Sequence, residues 1–74
     1  MNATMMSMEH AYVDNLSADQ LLEGDLIEIE DNVVEIIALS PTKNGIVITY
    51  KNDFDEKEIQ EFPDDTIFKL FVLM

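Results

Sequence analysis

The sequence predicts a mainly β domain: a small five-stranded antiparallel barrel with one short N-terminal helix. Three observations predict it. The chain has 74 residues, which is enough for one small domain. Hydrophobic residues make up 47% of it, so a core is available despite a net charge of −12, and the chain is not a disordered acidic tail. From Asp25 onward, short alternating apolar and polar runs are separated by turn residues. Five or six short strands joined by tight turns imply a strongly bent antiparallel sheet, and closing it removes exposed edges.

Residues 1–10 read as a flexible or packing tail, with Met1, Met5 and Met8 able to line one side of a helical turn. Residues 11–74 read as a single barrel domain. Ala11 to Leu16 is a first short strand, with Tyr12, Asp14 and Leu16 on one side. Ser17 caps a helical turn over Ala18 to Glu23, and Gln20 three residues later completes a capping box. Leu21 and Leu22 point that turn inward, and Gly24 ends it in the left-handed conformation. Leu26 to Glu30 alternates, with Ile27 and Ile29 inward and Glu28 and Glu30 outward. Asp31-Asn32 is a two-residue hairpin turn.

Val33 to Ser40 is a long strand that is largely apolar on both faces. A loop from Pro41 to Gly45 leads into the strand Ile46 to Lys51, with Ile46, Ile48 and Tyr50 on one face. Asn52 to Asp55 is the next turn. Glu56 to Phe62 alternates weakly, with Ile59 as its inward anchor. Pro63-Asp64-Asp65 breaks the run, and Thr66 to Leu73 is the last strand.

The charge is uneven. Residues 1–42 hold nine acidic side chains and no basic one, while all four lysines, Lys43, Lys51, Lys57 and Lys69, follow among seven acids. DNA, RNA and anionic membranes carry the same sign as this chain, so direct binding to them is disfavoured. A basic protein partner is favoured. Solubility is the plainer reason for the same charge.

The stretch Leu16 to Val34 reads L-S-A-D-Q-L-L-E-G-D-L-I-E-I-E-D-N-V-V, a turn followed by Gly24-Asp25 and an alternating hairpin. The segments V-V-E-I-I-A-L, G-I-V-I-T-Y and P-D-D-T-I-F-K-L follow it. Over about Tyr12 to Val72 this pattern resembles small Src-homology-3-like barrels, especially short bacteriophage proteins with an L-x-x-G-D opening. The resemblance implies a cytoplasmic, host-cell or virion-associated protein. Nucleic-acid-binding barrels of this kind carry basic loops, which this chain lacks.

Chemistry-bearing constellations are sparse. The chain has no Cys, so it has neither a disulfide framework nor a thiolate metal site. Its one histidine, His10, lies in the expected tail. Asp25 with Glu28, and Asp64 with Asp65, read as solvated acids rather than acid–base pairs. Asn52, Asp53 and Asp55 lack the central Gly and terminal Glu of a twelve-residue calcium loop. The expectation is a non-enzymatic protein with no catalytic residue, metal or cofactor. There is no apolar run of about 18 residues, and Met1 to Met8 lacks the charge and length of a signal peptide.

Two surfaces remain as candidates. One is an acidic face of Glu23, Asp25, Glu28, Glu30, Glu35, Glu56, Glu58 and Glu61, which would dock on a basic partner, including a DNA-binding protein for which it imitates DNA. Glu28 and Glu30 project about 7 Å apart along one strand, beside about one charge per 1.7 Å of duplex axis. The other is the apolar last strand, where Ile67, Phe71 and Leu73 share a face that a small barrel does not bury. That surface suits a homo-oligomer or a structural subunit of a larger particle.

Overall fold

A computed structural model of the chain describes residues 10–52 and 54–73. Six antiparallel strands form one sheet: β1 (His10–Ser17), β2 (Leu26–Ile29), β3 (Asn32–Pro41), β4 (Gly45–Lys51), β5 (Lys57–Pro63) and β6 (Ile67–Leu73). Their spatial order is β1-β6-β2-β3-β4-β5. The fold is mainly β, as the alternating pattern predicts. The expected five-stranded closed barrel is corrected in two respects. The strand predicted over Ala11 to Leu16 is present as β1 and makes the count six, on the outer side of β6, and the sheet stays open between β1 and β5. The expected tail over residues 1–10 lies outside the described residues except for His10, which begins β1.

The helical element is also shorter than expected. It is a single 3₁₀ turn, Ala18–Gln20, because Leu21 is already extended at φ −72° and ψ 146°. The Ser17 amide donates to Gln20 Oε1 at 2.9 Å, so the Gln20 side of the anticipated capping box is in place. Leu21 is buried, but Leu22 is 68% exposed, against the expectation that both face inward. Gly24 does adopt positive φ, at 91°, in a tight turn rather than at a helix end: the Asp25 amide donates to Leu22 O at 3.1 Å.

The core lies on one face of the sheet. Ile27 and Ile29 of β2, Val34 and Ile36 of β3, Ile46, Ile48 and Tyr50 of β4, and Phe68 of β6 are all buried, together with Ala18 and Leu21. Ile27, Ile36 and Ile48 have almost no exposure, and each contributes about 2–3 kcal/mol of burial. Phe62, near the end of β5, meets Phe68 edge to face at 5.1 Å between ring centroids. Three strands separate β5 from β6 in the sheet. Their side chains meet only because the sheet curls over its own core.

Two bulges re-aim side chains. One, between Ile36 and Ala38, adds a residue to β3, so Leu39 pairs with Ile48 and joins the core cluster. The other, between Tyr12 and Asp14, puts Tyr12 on the outer face while Leu16 turns inward opposite Phe68. The first strand therefore does not keep Tyr12, Asp14 and Leu16 on one side.

β5 has the opposite parity to the one its sequence suggests. Its register pairs Ile46 with Phe62, Ile48 with Gln60 and Tyr50 with Glu58. Ile59 faces out at 72% exposure and is no anchor. The turn before β5 sets this register. Asn52 Oδ1 accepts from the amides of Phe54 and Glu56, and the Asn52 amide donates to Glu56 O. A shift of one residue would bring Ile59 in and expel Phe62 from Phe68.

The β2–β3 hairpin turns at Glu30 and Asp31, one residue earlier than the Asp31-Asn32 expected, with φ of 53° and 68°. Ile29 and Asn32 pair across it. Two successive positive φ values are costly for residues with a Cβ. The double variant Glu30→Asn/Asp31→Gly is expected to raise stability by about 1 kcal/mol, read as a higher urea midpoint.

The two glycines are required for different reasons. A Cβ on Gly45 would sit 1.9 Å from the Phe62 carbonyl oxygen, whereas one on Gly24 meets nothing within 4 Å. Gly45→Ala is therefore expected to cost about 3 kcal/mol through backbone displacement. Gly24→Ala should cost about 1 kcal/mol through φ alone. Urea unfolding of the two variants side by side checks the order.

Candidate functional site

The outer face of the β1–β6 pair brings the apolar candidates together. Ile67, Phe71 and Leu73 of β6 alternate outward with Lys69 between them, opposite Ser17, Tyr12, His10 and Asn15 of β1. Ile67 is 61% and Leu73 57% exposed, and Tyr12 is 53% exposed. Phe71 is half-buried because the Tyr12 ring meets it edge to face at 6.0 Å. The Tyr12 hydroxyl donates to Asn15 Oδ1 at 2.9 Å, holding the ring over Phe71. The result is an outward apolar ridge on the strand pair next to an open sheet edge.

The eight acidic candidates do not share one face. Asp25 accepts a hydrogen bond from the Leu22 amide at 2.9 Å and clamps the turn before β2, and Glu23 lies in that same turn. Glu28 and Glu35 are on the outer face, opposite Val33 and Lys51 respectively. Glu61 is also on the outer face, and its carboxylate accepts from Thr42 Oγ1 at 3.0 Å. Glu58, which simple alternation places outward, is on the same face as Tyr50.

Three of the eight converge at one end of the sheet. Glu30 in the β2–β3 turn and Glu58 in β5 both raise the Tyr50 pKa through their charges. Asn52 Nδ2 donates to Glu56 at 3.3 Å and to Glu58 at 2.6 Å. The Tyr50 hydroxyl lies 3.2 Å from both Glu58 Oε1 and Gln60 Oε1, so its one proton serves either acceptor. Nearby, Lys51 and Asp55 form the one ion pair among the described residues, at 3.2 Å.

A cleft of about 540 Å³ opens at the opposite end of β3 and β4, lined by Ala18, Leu21, Leu39 and Ile46 with Asp19 and Asp64 among its polar groups. Sequence reasoning missed it. Asp19 reads as part of a helix and Asp64 as part of a strand break, and nothing local places them across one cavity. Among the described residues, no group of three His, Asp or Glu side chains is arranged to hold a metal ion. No helix of the described chain is long and apolar enough to cross a membrane. No family model, curated protein or solved structure matches the chain.

The Tyr50 pKa lies above its ordinary value of 10.0, first because the ring is buried, then because the hydroxyl donates to the Glu58 carboxylate and because Glu58 and Glu30 are negative. A raised pKa means that the folded state holds this proton more tightly than the unfolded chain does. The stabilisation is complete below pH 10 and is lost as pH rises through the folded value. As pH rises past about 10, wild type is expected to lose more stability than Tyr50→Phe, as read by urea midpoints at each pH.

Proposed function

We propose that this chain is a non-enzymatic protein-interaction module that assembles through the outer face of β1 and β6. The observation that carries the reading is the ridge of Tyr12, Ile67, Phe71 and Leu73. These side chains face outward although the molecule has an apolar core on its other face. The occupant is a second copy or a component of a larger particle, so the chain serves as a structural subunit.

A second reading has its own support. The convergence of Glu30, Glu56 and Glu58 around Tyr50 and Asn52 favours docking of a basic protein, with the chain acting as a regulatory or host-directed binder. Division of the other five acids between the outer face and the turn before β2, apart from the three at the Tyr50 end, weighs against a single continuous row that imitates duplex charge. The succession β6-β2-β3-β4-β5 is a meander whose last strand returns beside its first. It supports the proposal that the domain is a Src-homology-3-like relative of short phage proteins, left open and extended by β1.

Light scattering across concentration, at two salt levels, tests the first reading. Wild type is expected to form a discrete oligomer at both salts, and Ile67→Lys/Leu73→Lys to run as a monomer of 8.5 kDa. Both positions are more than half exposed, so the double variant should fold with near-normal stability. A wild-type protein that stays monomeric at every concentration overturns self-assembly. An oligomer that survives the double variant overturns the assignment to β1 and β6.

A further inference from the structure

We propose that the cleft at the β3–β4 end binds a basic–apolar side-chain pair from a partner protein. The lysine or arginine head meets Asp19 and Asp64, and its apolar neighbour meets Leu21, Leu39 and Ile46. This deepens the basic-partner reading and rests on it. The volume of about 540 Å³ falls within the range of small-ligand sites, so two adjacent side chains fit in it. Its walls are unlike ordinary surface: Ala18, Leu21 and Ile46 belong to the buried core, at 5%, 5% and 7% exposure. An apolar group placed there extends the core outward.

Charge complementarity selects the occupant. Both ionisable groups that line the cleft are carboxylates, and neither is ion-paired within the described residues. Each sits on a hydrogen-bonded segment. Asp19 accepts from the Ser17 hydroxyl at the start of the 3₁₀ turn. The Asp64 amide donates to Asn44 O at 3.1 Å, which ties the β5–β6 turn to the β3–β4 loop. Gly45 lines the same wall and admits no side chain, because the Phe62 carbonyl occupies that space. A second copy is a poor source of the cation, since the chain has no arginine and four lysines among sixteen acids. The basic residue therefore comes from a different protein.

The test titrates isotope-labelled full-length protein with three capped dipeptides, followed by amide chemical shifts. They are acetyl-Leu-Arg-amide, acetyl-Leu-Gln-amide and acetyl-Gly-Arg-amide. Leu-Arg is expected to saturate shifts at Ala18, Leu21, Gly45, Ile46 and Asp64, and to bind about fivefold more tightly than either of the others. Asp19→Asn/Asp64→Asn is expected to remove that advantage. The carboxamide introduced at position 19 keeps an oxygen to accept from Ser17, and urea unfolding confirms that the variant is folded. Equal binding of Leu-Gln overturns the charge assignment. Arginine-dependent shifts confined to Tyr50, Asn52 and Glu58 overturn the cleft but leave the basic-partner reading standing. No saturable shift from any arginine peptide overturns both.

Discussion

The structure depends on β6 being hydrogen-bonded on both sides. It pairs with β1 along its whole length and with β2 at Leu70 and Phe71. Without it, β1 would be a lone extended segment and the β2-to-β5 meander would lack a lid for its core. Phe68 sits at the centre of this arrangement, 3% exposed, with Leu16 opposite it on β1 and the Phe62 ring against it from β5. One side chain thus ties the first strand, the last strand and the far edge of the meander. Assembly of the fold must wait for the last segment of the described chain, a non-local arrangement that costs loop-closure entropy before it is stabilised.

Seating β6 in this way also creates the two candidate surfaces. A strand in the middle of a sheet buries one face of its side chains and presents the other. In β6 the presented face carries Ile67, Phe71 and Leu73, and the strand that flanks it adds Tyr12. The same curl that brings Phe62 to Phe68 leaves the β3–β4 end uncovered, where Leu39 and Ile46 border the cleft with the 3₁₀ turn. The apolar ridge and the acid-rimmed cleft are therefore two consequences of one topology. Their chemistries differ: the ridge suits an apolar partner face, and the cleft suits a cation with an apolar neighbour.

The acids illustrate how a shared composition divides into separate roles. Asp25 clamps a turn, Glu61 accepts from Thr42, and Glu58 accepts from Tyr50 and Asn52. These carboxylates hold polar groups within the fold rather than standing free on a common face. What remains is a high negative field with few internal cations, since one ion pair exists among the described residues. A field of this sign repels nucleic acid and attracts cations, and contact geometry rather than net charge sets where a charged group can settle.

Much of this was legible in the order of the residues. Strict alternation marks Ile27 and Ile29 of β2 as inward and puts Ile46, Ile48 and Tyr50 of β4 on one face, and all five are buried, because period-two patterning is a local property of a strand. Gly24 marks a positive φ, and Ile67, Phe71 and Leu73 mark one face of β6, for the same local reason. Other features were decided by tertiary structure alone. Phe62 rather than Ile59 faces inward because the Asn52 turn sets the register and Phe68 waits across the core. Two bulges reverse the parity of β1 and β3. β1 joins the sheet through β6, a partner whose paired residues lie 50 to 63 positions away in the chain. The cleft likewise joins Asp19 to Asp64, which only the curl of the sheet brings to one cavity. Local patterning sets which way a side chain points along its own strand. Pairing between distant strands sets which strands meet, and that choice placed both the ridge and the cleft.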